Sequence, residues 1–323
     1  MAHDHDDPHH HGAHHGHVHF GKSDAARLRV VRCGPIAHEV LAEDGELYVL
    51  AVFERSFYLA CPRGLVCVGT DEIGAGPINV EIAEPPGGIA ALRLTPDIEG
   101  RIEHGVPFIT DSLALDLGPA EIWMPAPLPA FEPERVSAGL ARLRVLAPAN
   151  TLPRDGLARL VLTDKVSSSN ASAQMAEGSV RDLKAQLPAA LASGTFDDAF
   201  ARAATLLVGL GPGLTPSGDD VLGGVMLALT AAGHADLSDV LWDTVAPELD
   251  ALTVPISAMH LSAAADGLAA AAMHEVLAAI LADAPDLGDK LSAAAGHGAT
   301  SGWDAVAGIV LGLEAVLARP TVH

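Results

Sequence analysis

Aromatic side chains are scarce: Phe, Trp and Tyr together make 4% of the 323 residues. Ala, Leu and Val must therefore carry the packing. Cations are scarce as well, with 19 Lys and Arg against 41 Asp and Glu and a formal net charge of -22. That balance excludes non-specific nucleic-acid binding, which comes from cations on phosphates. It also argues against docking on anionic membrane surfaces. The three cysteines, Cys33, Cys61 and Cys67, are odd in number and not spaced as metal ligands, so they make neither a disulfide framework nor a zinc site. Their apolar, strand-like surroundings point to buried free thiols, as in a reducing cytoplasm. No apolar run reaches the roughly 20 residues of a membrane span, since Asp266, His274, Glu275 and Glu314 interrupt the longest ones. The N-terminus has no apolar or basic signal segment, so the expected compartment is the cytoplasm. What remains is ample for a folded chain: 49% hydrophobic and 19% charged residues exclude disorder, and the length suggests about two domains.

Histidine is unevenly placed. Nine of the 16 lie within the first 19 residues, interleaved with Asp4, Asp6 and Asp7. Residues 1–22 read as a disordered tail. Its imidazoles, among them His9, His10, His11, His14 and His15, would hold Ni²⁺ or Zn²⁺. It reads equally as a natural metal-sequestering tail or as an added tag.

The rest predicts an α+β protein: a β-rich domain over 23–130, a small sandwich or barrel, followed by an all-helical domain over 131–320. Short β-branched runs at 28–31, 47–50, 65–68, 78–82 and 91–94 read as strands. Asp44-Gly45 reads as a hairpin turn, and Gly74 to Pro77 as a turn before Ile78. The Pro-rich stretch 124–133 reads as the linker. Helices are expected over 135–146, 180–191, 219–232, 237–249, 256–271, 273–282 and 301–318. The last puts Trp303, Val306, Val310, Leu313 and Leu317 on one face, with a small-residue notch at Gly308 and Gly312. No internal repeat is evident.

Two segments carry chemistry. Gly209-Leu210-Gly211-Pro212-Gly213-Leu214-Thr215-Pro216-Ser217-Gly218-Asp219-Asp220 is a glycine-rich loop that opens into an apolar helix. Ser217 with Asp220 reads as a capping box, with Thr215-Pro216 as a second cap. A glycine-rich loop at a helix N-terminus is a ready anion site. The spacing is that of neither a Walker A loop nor GxGxxG. Asp219 and Asp220 would repel a bare phosphate, so Mg²⁺ bridging phosphate to a carboxylate is one consistent arrangement. The other segment, Gly296-His297-Gly298-Ala299-Thr300-Ser301-Gly302-Trp303-Asp304, repeats the design with Ser301 and Asp304 as the box. Two such loops suggest two helix N-termini converging on one site. The expected phosphate or substrate ligands are Gly211, Gly213, Thr215, Ser217, Gly218, Thr300 and Ser301. The expected catalytic groups are Asp219, Asp220, His297 and Asp304. Thr253 reads as the cap of a further helix on which Ser257 and His260 lie three apart, more readily a structural pair than a nucleophile and base.

These motifs carry a resemblance. GLGPGLTPSGDD at 209–220, TVPISA at 253–258 and HGATSGWDAVAG at 297–308 resemble the AllH family, the small third subunit of the oxamate carbamoyltransferase complex of anaerobic allantoin degradation. The similarity spans roughly residues 25–318. It implies a subunit of a carbamoyltransferase-type complex that interconverts oxalurate and phosphate with oxamate and carbamoyl phosphate. The implied partners are the other subunits, one resembling an acyl-CoA synthetase, and a small anionic substrate. The glycine-rich helix starts would then bind a phosphorylated carbamoyl or acyl donor. The competing reading is a non-catalytic scaffold subunit whose motifs are tight helix junctions.

Overall fold

The computed structural model describes residues 25–148, 151–167 and 169–319. The histidine tail, with His9, His10, His11, His14 and His15, lies outside the described residues.

The N-terminal part is a barrel. Its strands are β1 (Ala26–Cys33), β2 (Gly45–Val52), β3 (Ser56–Cys61), β4 (Gly64–Gly69), β5 (Asn79–Ile82), β6 (Glu99–Glu103), β7 (Val106–Thr110) and β8 (Leu113–Asp116). They run in the order β5-β4-β3-β2-β6-β7-β8-β1, and a β1–β5 pairing closes the ring. The short β9 (Glu121–Ile122) adds to the end of β1. Most neighbours are antiparallel, while β4–β5 and β1–β8 are parallel. Closure removes the unpaired edges an open sheet would expose. Inward residues such as Val30, Phe57, Leu59, Val68, Val80 and Ile109 form one apolar core. Helix α1 (Pro35–Leu41) adds Ala37, Val40 and Leu41 to it. Of the two shapes expected, sandwich or barrel, the barrel is the one that forms.

Several local expectations are corrected. Residues 91–94 are not a strand: Ile89–Leu92 is a 3-10 turn, and Arg93 takes a left-handed conformation at φ 52°. Asp44-Gly45 does not close a hairpin. It leads α1 into β2, and the Asp44 carboxylate instead accepts the His104 and Gly105 N–H groups at the β6–β7 turn. Strands β3, β6, β7 and β8 were not among the expected runs, because each is short and takes its partners from the closed ring.

The helical part comprises α2 (Pro133–Leu146), α3 (Ala158–Thr163), α4 (Ala171–Ser193), α5 (Asp198–Thr205), α6 (Ser217–Ala231), α7 (Ala235–Val245), α8 (Leu249–Leu252), α9 (Pro255–Ala265), α10 (Ala271–Ala282), α11 (Leu287–Ala295) and α12 (Ser301–Leu317). Asn170 begins α4 by accepting the Ala173 N–H, and Asp197 begins α5 by accepting that of Phe200. Helix α9 stops at Ala265, earlier than its apolar pattern suggests, and Gly267 follows at φ 72°.

The central pair is α6 and α12. A Cβ placed on Gly224 would lie 2.2 Å from the Ala305 carbonyl oxygen, and one on Gly308 2.1 Å from that of Val221. The two contacts are reciprocal, because Val221 precedes Gly224 by the same three residues as Ala305 precedes Gly308. This reciprocity marks a local quasi-two-fold axis, and because Gly224 lies against Gly308 and Gly312 against Ala228 the helices run parallel, backbone against backbone. Their starts match in kind: Ser217-Gly218-x-Asp220-x3-Gly224 against Ser301-Gly302-x-Asp304-x3-Gly308. This short quasi-repeat corrects the reading that none exists; eight residues with four identities fall below a sequence-period signal. One apolar core, with α3, α4, α5 and α7, packs on one side of the pair, and a second, with α2, α10 and α11, on the other.

The barrel meets the helices through α9 and α10. Met259 reaches Gly64, Ile256 packs on Ala60 and Leu65, and the Ala271 N–H donates to the Ala75 carbonyl at 2.8 Å.

Gly308→Ala should force the central helices apart and lower unfolding free energy by about 3 kcal/mol or more. Gly178→Ala, in an open position of α4, should instead raise it by roughly 0.5–1 kcal/mol. Urea denaturation of both variants checks this; equal effects would mean the helices do not meet at their backbones.

Candidate functional site

The parallel packing of α6 and α12 puts both N-termini at the same end of the pair, facing the barrel. Between them and strands β3–β5 lies a cavity of about 390 Å³. The α6 side supplies Thr215, Asp219 and Asp220, the α12 side His297, Ser301 and Gly302, and the α9 start Ser257 and His260. The barrel supplies a cross-strand row. Tyr58 pairs with Cys67, and Cys67 with Asn79, so three neighbouring strands present them side by side. Asn79 Nδ2 donates to the Gly74 carbonyl at 3.0 Å and holds the 71–76 turn near His297.

The three acids have different surroundings. Asp219 is a tie: Oδ1 accepts the Gly209 N–H at 2.7 Å, and Oδ2 accepts the hydroxyls of Ser257, at 2.6 Å, and Thr253. It joins the first glycine-rich loop to the start of α9. Asp304, with no exposed surface, is a second tie. Its Oδ1 accepts the N–H groups of Leu157 and Ala158, both at 2.7 Å, and so fixes the start of α3 to the start of α12. Asn170 braces the same turn by donating to the Gly156 carbonyl at 2.7 Å. Gly156 is required there, since a Cβ would lie 2.6 Å from Asp304 Oδ2. Asp220 and Asp304 each keep a buried Oδ2 with no hydrogen-bond partner, but of the two only Asp220 lines the cavity.

Burial sets the protonation states. It raises the Asp304 carboxyl to about 6, against the opposing pull of Ser217, the Leu157 and Ala158 N–H groups and Thr300. Burial also lifts Asp220 well above the usual carboxylate range; the neighbouring charges of Asp304 and Asp219 add to this and Ser301 opposes it. The seryl neighbours cross over, with Ser217 beside Asp304 and Ser301 beside Asp220, as the quasi-two-fold requires. His260 borders the cavity but lies deep in the protein, and burial pulls its imidazole down to about 4. Burial raises the Tyr58 phenol and lifts the Cys67 thiol to about 11, so both are neutral. Among the described residues no Lys or Arg lines the cavity.

The expected residues thus divide. Asp219, Asp220, His297, Thr215 and Ser301 line the cavity; Gly211, Gly213, Ser217, Gly218, Thr300 and Asp304 do not. Three glycines serve close packing. A Cβ would lie 1.7 Å from the Leu252 carbonyl oxygen at Gly209, 1.9 Å from that of Leu207 at Gly218 and 1.8 Å from that of Ala294 at Gly302. The expected caps are corrected. Ser217 and Ser301 are first helical residues rather than caps, because Pro216 and Thr300 hold the cap positions and neither makes a side-chain cap bond. Thr253 does not cap α9 either, since its hydroxyl is taken by Asp219. Among the described residues no group of three or more His, Cys, Asp or Glu is placed to hold a metal ion, and no helix is long and apolar enough to cross a membrane. The barrel wall of the cavity, Tyr58 and Asn79 above all, has no local motif, since it exists only through strand register.

Residues 207–313 match the family model described as oxamate carbamoyltransferase subunit AllH. This segment is AllH-like. It supports the resemblance carried by the three motifs, and it holds every cavity-lining residue of the helical part. No curated protein and no solved structure matches the chain.

Asp304→Ala would orphan two buried N–H groups and should cost about 3 kcal/mol, whereas Asp304→Asn keeps an acceptor oxygen. The folded Asp304 carboxyl titrates near 6 and an unfolded one near 4. The folded state therefore holds the extra proton in that window, and the associated stability is present below about pH 4 and lost as pH rises through 6. Asp304→Asn should thus gain stability relative to wild type as pH rises from about 4 to 6.5. Thermal unfolding across that range checks it, and a gap that stays constant with pH would overturn the assignment.

Proposed function

We propose that the chain is a subunit of a carbamoyltransferase-type complex and that the cavity between barrel and helix starts binds its small acid and carbamoyl-donor substrates. The observation that carries this reading is the coincidence of the AllH-like segment with the helical wall of the cavity. The chemistry is compatible. A phosphorylated carbamoyl donor would meet no Lys or Arg of the described residues there, so recognition falls to the starts of α6, α9 and α12, where backbone N–H groups and the helix dipoles favour negative charge.

Transfer forms a bond from the amide nitrogen of oxamate to the carbamoyl carbon and breaks that carbon's bond to the phosphate oxygen. Charge develops on the carbamoyl oxygen in between. Aligned N–H groups at helix starts stabilise such an oxyanion. The proton lost by the attacking nitrogen needs a neutral base, and this reading assigns it to His260, which burial keeps uncharged. Mg²⁺ remains a proposal for the donor's charge; among the three aspartates Asp220 is the one that lines the cavity with an oxygen left to offer it, since both oxygens of Asp219 are engaged with the protein and Asp304 lies away from the cavity.

A scaffold role has one observation in its favour: Gly209, Gly218 and Gly302 are packing devices rather than open ligand cradles. Titration calorimetry with carbamoyl phosphate, on the chain alone and on the complex assembled with co-purified partners, separates the two. The enzymatic reading expects saturable binding that His260→Gln leaves intact while slowing turnover at least 100-fold. Absence of binding in both preparations would leave the scaffold.

A further inference from the structure

The quasi-two-fold relating α6 to α12 makes Asp220 the counterpart of Asp304, yet the two are satisfied differently. Asp304 Oδ1 receives two adjacent N–H groups, from Leu157 and Ala158, at 2.7 Å each. Asp220 stands at the equivalent helical position, with Ser301 beside it as Ser217 stands beside Asp304. Among the described residues no chain segment brings N–H groups to it; in their place is the cavity, and Oδ2 is enclosed and without a partner. Asp304 Oδ2 is equally without a partner but lies away from the cavity; Asp220 is the one of the pair that receives no N–H and whose unpaired oxygen belongs to the cavity wall, which marks a place where a ligand completes the bonding.

We infer that Asp220 is the specificity-determining residue of the cavity: it receives the N–H donors of a primary amide or ureido group, taking from the ligand what Asp304 takes from the start of α3. The surroundings suit such a group. Asp220 sits between the hydroxyl-bearing walls of α9 and α12 and faces the uncharged Tyr58–Cys67–Asn79 row, beside which Glu72 also lines the cavity. An amide offers two N–H donors and a carbonyl acceptor, so a carboxyl can accept from it in either protonation state. A ligand with a methyl group in place of the NH₂ would leave Oδ2 as unpaired as it is in the free protein, and such a mismatch discriminates strongly. The inference rests on the proposed carbamoyl chemistry for its choice of ligand and on the quasi-symmetry for its choice of residue.

Oxamate and pyruvate test it, since they differ only in NH₂ against CH₃. Calorimetry on the complex, or on the chain if it binds alone, should show oxamate binding at least 10-fold tighter than pyruvate. Asp220→Ala should collapse that ratio to about one, and Asp220→Asn, which keeps one acceptor, should retain part of it; circular dichroism verifies that both variants fold. Equal binding of the two acids to wild type would overturn the role of Asp220 while leaving the proposed function standing. A preference for oxamate that survives in Asp220→Ala would do the same. Binding of neither acid, with or without partners, would overturn both.

Discussion

The direct contact between the backbones of α6 and α12 is the constraint on which the rest depends. Only glycine at 224 and 308 lets two parallel helices approach until each carbonyl touches the other's Cα. Parallel helices align their dipoles, which is unfavourable in itself. Here the two positive ends share one pole beside buried acids, and the carboxylates at those ends offset the repulsion. The same geometry places two serines and two aspartates within reach across the axis. Packing and site are thus one feature: separating the helices would dissolve both.

Three acids buried at one pole need three answers to the cost of desolvation. Asp219 is answered by one N–H and two hydroxyls, and it joins α6 to α9. Asp304 is answered by two N–H groups and joins α12 to α3. Asp220 is left incompletely bonded and is driven toward its neutral form by burial and by its charged neighbours. The tied acids hold the scaffold still around the one whose unpaired oxygen belongs to the cavity wall. The barrel completes the enclosure without contributing charge to the cross-strand row.

Much of this was legible beforehand. The strand-rich and helical parts followed from period and composition, and the importance of residues 209–220 and 296–304 followed from their glycines, acids and family resemblance. Local propensity misled where tertiary contacts claimed the same atoms. Ser217, Ser301 and Thr253 carry the side chains of helix caps, but carboxylates buried nearby engage or face their hydroxyls instead. Residues 91–94 have the composition of a strand, but the turn at Arg93 prevents pairing. The glycines of the first loop read as ligand cradles, and three neighbours of that design proved to be sites where one backbone presses on another.

The sequence by itself determined the kinds of parts: an α+β chain poor in cations and aromatics, with glycine-rich helix starts rich in buried acids. That much follows from residue type and spacing, which act over a few residues. Only the tertiary structure decided which aspartate meets the cavity with an oxygen left over. Asp219, Asp220 and Asp304 are alike as residues, and their difference arises from donors 10 to 147 positions away along the chain. The barrel wall facing Asp220 depends likewise on strand register. No local pattern reports such pairings, because they are set when the helices close on each other and the barrel closes on itself.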